Sequence, residues 1–269
     1  MIKLIATDVD GTLLNSDREL SSENVKTIIE CQKKGVKFAL ASGRGTKNLF
    51  KFADILKINE FNGYLIGNNG QEIFSFKDFK LTKGNKIPLE VCIKVMEIFK
   101  KYKVYVYGFN EDVKYGHLNE GFTVLSDIPK VTLVENGYNK DTEFFNNDTD
   151  FDKFGCYTEN DVYEIYNEIV NTVKGDYNIF IVNENIVEIV GYEIDKVHGV
   201  RELKKLMNLE DDEILVFGDG LNDLNMLKNF HGVAMSNALD ELKKEVEHVV
   251  DNSKGTGVSI GINKFVLKR

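Results

Sequence analysis

Apolar residues along this chain recur in two rhythms. Short aliphatic runs closed by turn chemistry read as buried strands: Ile2-Lys3-Leu4-Ile5-Ala6-Thr7, Val36 to Ala41, Tyr64 to Ile66, Ile214 to Phe217, Val233 to Met235 and Val249-Val250. Helical spacing fills the intervals. Ser21 is a fair N-cap for a helix with Val25, Ile28 and Ile29 on its apolar side, closed by Gly35. Leu49, Phe50, Ala53 and Leu56 mark a second helix, Val200, Leu203, Leu206 and Met207 a third, and another runs through Met226 and Leu227. Asn69-Gly70, ahead of Ile73, is hairpin-turn chemistry. Alternation of strand and helix predicts an α/β fold, a parallel sheet with helices on both faces.

From Lys83 to about Val190 the pattern changes, and the chain becomes rich in Tyr, Phe and Asn. Pro88 suits the first turn of a helix through Val91, Val95, Ile98 and Phe99. Val104 to Tyr107 and Phe180 to Val182 read as strands, Asp161 to Lys174 as a helix, and Glu184-Asn185 as a hairpin turn. The aromatic residues Tyr105, Tyr107, Phe109 and Tyr157 are expected to form this segment's own core. An α+β domain, residues 83–190, is thus expected inside an α/β core made of residues 1–82 and 191–269.

Composition narrows the class. With 269 residues, 42% of them hydrophobic, the chain can build a substantial core, and no apolar run has the length of a membrane span. Asp8 and Asp10 stand where a secretory leader would be apolar. Cys31, Cys92 and Cys156 are too scattered for a disulfide framework or a zinc site, so buried reduced thiols and a cytoplasmic location are expected. A net charge of −9 disfavours nucleic acid and anionic membrane as partners. His117, His198, His231 and His248 show no metal-ligand spacing and read as structural or surface residues, although His198 neighbours Lys196.

The chemistry gathers where strands end. Asp8-Val9-Asp10-Gly11-Thr12 follows the first strand, and residues two apart on a strand point the same way. Two adjacent carboxylates need a proton, a hydrogen-bond cage or a cation between them, and Gly11 permits a sharp turn. Ser42-Gly43-Arg44 follows the second run and Asp219-Gly220-Leu221-Asn222-Asp223 a later one, while Lys196 heads a helix. In open parallel sheets, ligands bind beyond the carboxyl ends of strands, so these segments are expected to converge.

The Asp8-x-Asp10-Gly-Thr opening, Ala41-Ser42-Gly43-Arg44, Lys196 and Gly218-Asp219-Gly220-Leu221-Asn222-Asp223 together resemble the haloacid dehalogenase superfamily. The mid-chain insertion and the continuation Leu224-Asn225-Met226-Leu227 are similar to Cof-type phosphatases with a type-IIB cap, and the resemblance covers essentially the whole chain. The family usually has glycine directly after its lysine, whereas Asp195-Lys196-Val197-His198-Gly199 delays it by two positions.

The resemblance implies a Rossmann-like core with an inserted cap and a phosphatase of small phosphorylated metabolites, such as sugar phosphates. It makes Asp8 the nucleophile that forms an aspartyl phosphate and Asp10 the general acid and base. It assigns Mg²⁺ to Asp8, Asp219 and the Asp10 carbonyl, which also answers how so acidic a protein binds an anion. Ser42, the Val9 and Gly43 amides, Asn222 and Lys196 would bind the phosphoryl group, with Lys196 also neutralising charge on Asp8. Asp223 would orient Lys196 or the metal's surroundings. Arg44 reads equally as a structural ion pair or a ligand contact. The same residues would serve a phosphotransferase or phosphomutase, while a non-catalytic phospholigand module would not require the Asp8–Asp10 pair. Oligomeric state is not legible, and the candidates for substrate selection are the loop His117 to Gly121 and the Glu184-Asn185 turn.

Overall fold

A computed structural model describes residues 1–110, 113–118, 138–140, 150–175 and 177–269. They divide into two compact units, one of Met1–Gly84 with Asp195–Arg269 and one of Asn85–Ile194.

In the first unit, strands β1 (Leu4–Thr7), β2 (Lys37–Ala41), β3 (Tyr64–Gly67), β4 (Glu72–Ser75), β5 (Lys80–Lys83), β12 (Ile214–Gly218), β13 (His231–Met235) and β14 (His248–Val250) form one sheet. Its order is β14-β13-β12-β1-β2-β3-β4-β5. The pairs from β14 to β3 are parallel and the two outer pairs, β3–β4 and β4–β5, antiparallel. The sheet is therefore parallel at its centre, and the Asn68–Gly70 turn reverses it at one side. That turn places Asn68, Asn69 and Gly70 at φ of 49°, 53° and 101°, a conformation Asn and Gly tolerate best.

Both faces of the sheet are covered, which is why its strands are apolar runs rather than alternating ones. Ile5, Phe38, Leu40, Leu65 and Phe217 pack on one face, and Leu4, Ala6, Ala39, Ile66 and Val216 on the other. Helix α1 (Ser22–Lys33) begins at Ser21, whose side chain accepts from the Asn24 amide. Its buried side differs from the apolar stripe expected of Val25, Ile28 and Ile29. Asn24, Thr27, Ile28, Cys31 and Gln32 are the buried residues. Most of their polar atoms find partners: Asn24 Nδ2 donates to Leu13 O and Gly255 O, Thr27 pairs with Ser259, and Gln32 Nε2 donates to Leu56 O, while Gln32 Oε1 is buried with no partner among the described residues. Helix α2 (Phe50–Ile55) buries Phe52 and Ala53, and α5 (Lys196–Met207) buries Val200 and Leu203, whereas Leu206, placed on the same stripe by its spacing, is 67% exposed.

The second unit carries strands β6 (Val104–Asn110), β7 (Val113–Leu118), β8 (Tyr138–Lys140), β9 (Lys153–Thr158), β10 (Asn178–Asn183) and β11 (Ile186–Val190), in the order β10-β11-β9-β6-β7-β8. Helices α3 (Leu89–Phe99) and α4 (Val162–Thr172) contribute to its core with Val104, Val106, Phe154, Cys156, Val187 and Ile189. Pro88 is extended at ψ 142° and precedes α3 as its cap instead of entering its first turn. Tyr105 and Tyr107 are buried and Tyr157 partly so, while the side chain of Phe109 falls outside the described residues.

Candidate active site

The end of β1 is fixed by its neighbour β12. The Asp8 amide donates to Phe217 O at 2.9 Å, and Val9 turns a fully buried side chain into the core. The Val9 carbonyl then accepts from the Leu13 and Leu14 amides, closing a tight turn. Gly11 sits in that turn at φ +84°, and a Cβ there would lie 2.3 Å from Asp219 Oδ2. The position therefore demands glycine twice over, for its dihedral and for the close approach of β1 and β12 loops. Asp8 and Asp10 have separate surroundings: Asp8 is buried, 6% exposed, and the Asp10 side chain is about half-exposed.

Lys196 is the first residue of α5 and is 1% exposed. Asp195 caps this helix by accepting from the His198 amide at 2.7 Å, which sets where the helix starts and so where Lys196 points. Lys196 Nζ donates to Asp8 Oδ1 and to Asp223 Oδ1, each at 2.5 Å. The delayed glycine has a packing reason. Gly199 faces β3, where a Cβ would stand 2.4 Å from Ile66 Cγ2. The cap, not an adjacent glycine, puts the ammonium in place here.

The loop after β12 folds on itself. Asp223 Oδ2 accepts from the amides of Asp219 and Gly220, at 3.1 and 3.0 Å. With its other oxygen on Lys196, the Asp223 carboxylate is committed on both sides. Asp219 takes a hydrogen bond from Thr12 Oγ1 at 2.5 Å and one from Asn237 Nδ2 at 3.3 Å. Asn237 and Asn252 both donate to the Gly11 carbonyl, and Asn252 also to that of Thr12. Ser42 is buried at the end of β2, its Oγ accepting from the Arg44 amide at 3.2 Å. Gly43 lies against Asn69, and Asn222 Nδ2 donates to Asn69 Oδ1 at 3.2 Å. Arg44 grips Asp10, with Nε on Oδ2 at 2.8 Å and Nη2 on Oδ1 at 2.5 Å.

Electrostatically the site is short of positive charge. Burial, against the pull of Lys196 and with the repulsion of Asp223 and Asp219, holds the Asp8 carboxyl well above the ordinary carboxylate range. Burial likewise lifts Asp219 to about 6, although the Thr12 hydrogen bond works the other way. Burial alone would lower the Lys196 ammonium, but Asp223 and Asp8 together push it upward. Asp8, Asp219 and Asp223 each offer an oxygen within 4.8 Å of the others. An all-oxygen, net-anionic donor set of this kind suits a hard divalent cation.

Among residues singled out from sequence, Asp8, Lys196, Asp219 and Asp223 thus meet directly, Asn222 joins Gly43 through Asn69, and Asp10 pairs with Arg44. His198 contributes its amide to the helix cap. His231 and His248 stack on each other and on Phe265. Asn185 donates to Thr158 O within the second unit, and residues 119–121 and the side chains of His117 and Leu118 fall outside the described residues. Sequence reasoning placed Asn69 in a hairpin turn and Thr12 in the opening motif, but gave neither of them, nor Asn237 or Asn252, a contact in the site. The last two lie two residues beyond the ends of β13 and β14, so the strand-end rule that found the aspartates applied to them as well.

The family model described as haloacid dehalogenase-like hydrolase matches residues 5–262. A 5-amino-6-(5-phospho-D-ribitylamino)uracil phosphatase of Bacillus subtilis (strain 168) is 30% identical over 271 residues, covering 99% of this chain and 96% of the relative. A solved haloacid dehalogenase-like hydrolase from Bacteroides thetaiotaomicron superposes with a TM-score of 0.80 at 28% identity, over 98% of this chain and 99% of its own. A subclass IIB sugar phosphatase superposes with a TM-score of 0.82 at 20% identity over 98% of each chain, a likeness of fold.

Proposed function

We infer that this chain, which belongs to the haloacid dehalogenase-like hydrolase family and is a phosphoric monoester hydrolase, removes phosphate from a small phosphorylated metabolite through an aspartyl phosphate on Asp8. The observation that carries this reading is the buried Lys196 ammonium held between Asp8 and Asp223. A carboxylate needed only for stability is seldom buried among further acids, whereas a nucleophile facing a phosphate gains from a fixed ammonium beside it.

Asp8 attacks phosphorus, and the bond to the leaving oxygen breaks as Asp10 supplies its proton. Water then attacks the same phosphorus, Asp10 takes the water's proton, and the Asp8–phosphorus bond breaks. Lys196 offsets charge on Asp8 and on the phosphoryl group as each transition state forms, and Asp223 keeps Lys196 in place. Ser42, the Val9 and Gly43 amides and Asn222 are the groups assigned to the phosphoryl oxygens. The raised carboxyls of Asp8 and Asp219 fit a site completed by Mg²⁺, held by Asp8, Asp219 and the Asp10 carbonyl. Bound there, the ion would screen the nucleophile from the incoming anion. Asp223, with both oxygens engaged, belongs behind the ligands. Arrangement of the chain as a core, residues 1–82 and 191–269, with a cap of residues 83–190 belongs to the same reading.

The leaving group is proposed to be a polyol or sugar, the class named in the B. subtilis relative and in the subclass IIB structure. Three buried free thiols suit the cytoplasm, where such metabolites occur. The test is phosphate release from a panel of sugar, polyol, nucleotide and cofactor phosphates with Mg²⁺ and with chelator, for the parent chain and Asp8→Asn. Release that needs Mg²⁺ and vanishes in Asp8→Asn is expected. Equal turnover in Asp8→Asn would remove the reading, and transfer to an added polyol in place of phosphate release would make the enzyme a transferase.

A further inference from the structure

The Arg44 guanidinium meets both carboxylate oxygens of Asp10, and nothing about a simple ligand contact requires that geometry. Nε reaches Oδ2 at 2.8 Å and Nη2 reaches Oδ1 at 2.5 Å, a two-pronged pair joining the loops after β1 and β2. The arginine is prepared for it. Its amide donates to Ser42 Oγ at 3.2 Å, its carbonyl accepts from the Asn68 amide at 2.8 Å, and its guanidinium lies 5.6 Å from the ring centre of Phe52. Phe52 is 6% exposed and rooted in the core, so the stacked head has a fixed floor. The side chains of Arg44 and Asp10 are 27% and 47% exposed, so the pair adds little to stability. What a planar fork adds is direction.

We propose that Arg44 is a positioning residue for Asp10, and that it acts on the second half-reaction, hydrolysis of the aspartyl phosphate. The inference rests on the aspartyl-phosphate reading above. Asp10 gives up its proton when the leaving group departs, and it is then a carboxylate until water's proton reaches it. The fork fixes the plane and the rotation of the Asp10 carboxyl group, and an untethered water must meet that group in one orientation. Each carboxylate oxygen has two acceptor sites, and the fork uses one on each, which leaves a second to take the proton. Water loses a proton to Asp10 as its oxygen bonds to phosphorus and the Asp8–phosphorus bond breaks, so Asp10 ends as the acid needed for the next turnover.

The test is rapid-quench labelling with an aryl phosphate bearing a good leaving group, which needs no proton from Asp10 in the first step. The parent chain, Arg44→Ala, Arg44→Lys and Asp8→Asn are compared with Mg²⁺ present, with thermal melting as a check on folding. Labelled Asp8 is expected to form in Arg44→Ala at near the parent rate and to decay on the order of tenfold to a hundredfold more slowly, so that phosphoenzyme accumulates. Arg44→Lys, with its charge but not its fork, should recover part of the decay rate. A raised KM with unchanged kcat, or formation and decay slowed equally, would overturn the assignment and make Arg44 a ligand contact or a structural residue. An unlabelled parent would remove the aspartyl-phosphate reading and this proposal with it, and Asp8→Asn tells the two failures apart by fixing the background.

Discussion

Thr12 Oγ1 donates to Asp219 Oδ1 at 2.5 Å, joining the turn after the first strand to the loop after the twelfth. The bond opposes the burial that raises the Asp219 carboxyl. Thr12→Val, similar in shape but without the hydroxyl, should leave Asp219 unoriented and more readily protonated. Loss of such a supporting bond around a metal site costs about 10- to 100-fold in affinity. Calorimetric Mg²⁺ titration at pH 7 measures it, and unchanged affinity would mean that Thr12 only shapes the turn.

A second expectation concerns pH. Asp219 is lifted from 3.8 to about 6, so the folded, metal-free protein holds its proton more tightly than the unfolded chain. That contribution to stability is complete below about 3.8 and is lost as pH rises through about 6, each pKa unit being worth ~1.4 kcal/mol. Asp219→Asn cannot ionise there. In chelator it should be more stable than the parent at pH 7 and similar to it at pH 4, as read by urea unfolding. A parent that is the more stable of the two at pH 7 without metal would refute this.

Removing the ammonium tests the other side of the balance. Lys196→Met keeps length and removes charge, leaving Asp8 and Asp223 facing each other in a buried site. Breaking a buried pair in this way costs about 3–5 kcal/mol where the remaining charge stays unpaired. Part of that loss should be recovered at pH 5, because the Asp8 carboxyl, already raised by burial, takes a proton more readily as pH falls and so relieves the repulsion. Denaturation midpoints at the two pH values decide it, and a variant as stable as the parent at pH 7 would count against a charged trio.

Gly199→Ala is expected to destabilise the protein by about 1–3 kcal/mol through overpacking against Ile66, without altering the charge of the site. Thermal unfolding of the parent and variant is the measurement. A neutral result would return the glycine to the role its relatives' spacing suggests, beside the lysine.

Much of this was legible because charge in an apolar context is conspicuous. Asp8, Asp219 and Asp223 interrupt or follow aliphatic runs, and strand ends gather in a parallel sheet. Asn237 and Asn252 occupy equivalent places but carry no charge, and asparagine after a strand is ordinary turn chemistry. The buried side of α1 was misread for a related reason. Asn24, Thr27 and Gln32 are inside because the carbonyls of Leu13, Gly255 and Leu56 and the hydroxyl of Ser259 await them, and such partners come from distant parts of the chain. Strand β5, with Leu81 43% exposed and lysines at both ends, has neither the apolar run nor the burial that a pattern search detects.

The place of β1 in its sheet also bears on how the protein is made. Leu4 pairs with Lys37 on one side and with Ile214 on the other. A nascent chain leaving the ribosome can build the first of those pairings early, but the second waits until almost everything else has been synthesised. Meanwhile, among the described residues, the strands of Asn85–Ile194 find their sheet partners within that stretch, which can fold as it emerges. The exposed edge of β1 is therefore the vulnerable surface during synthesis, open to pairing with other chains. Asp8 can meet Lys196 and Asp223 only after both have been synthesised, so translation has passed Asp223 before the acidic cluster and its ammonium exist as a unit.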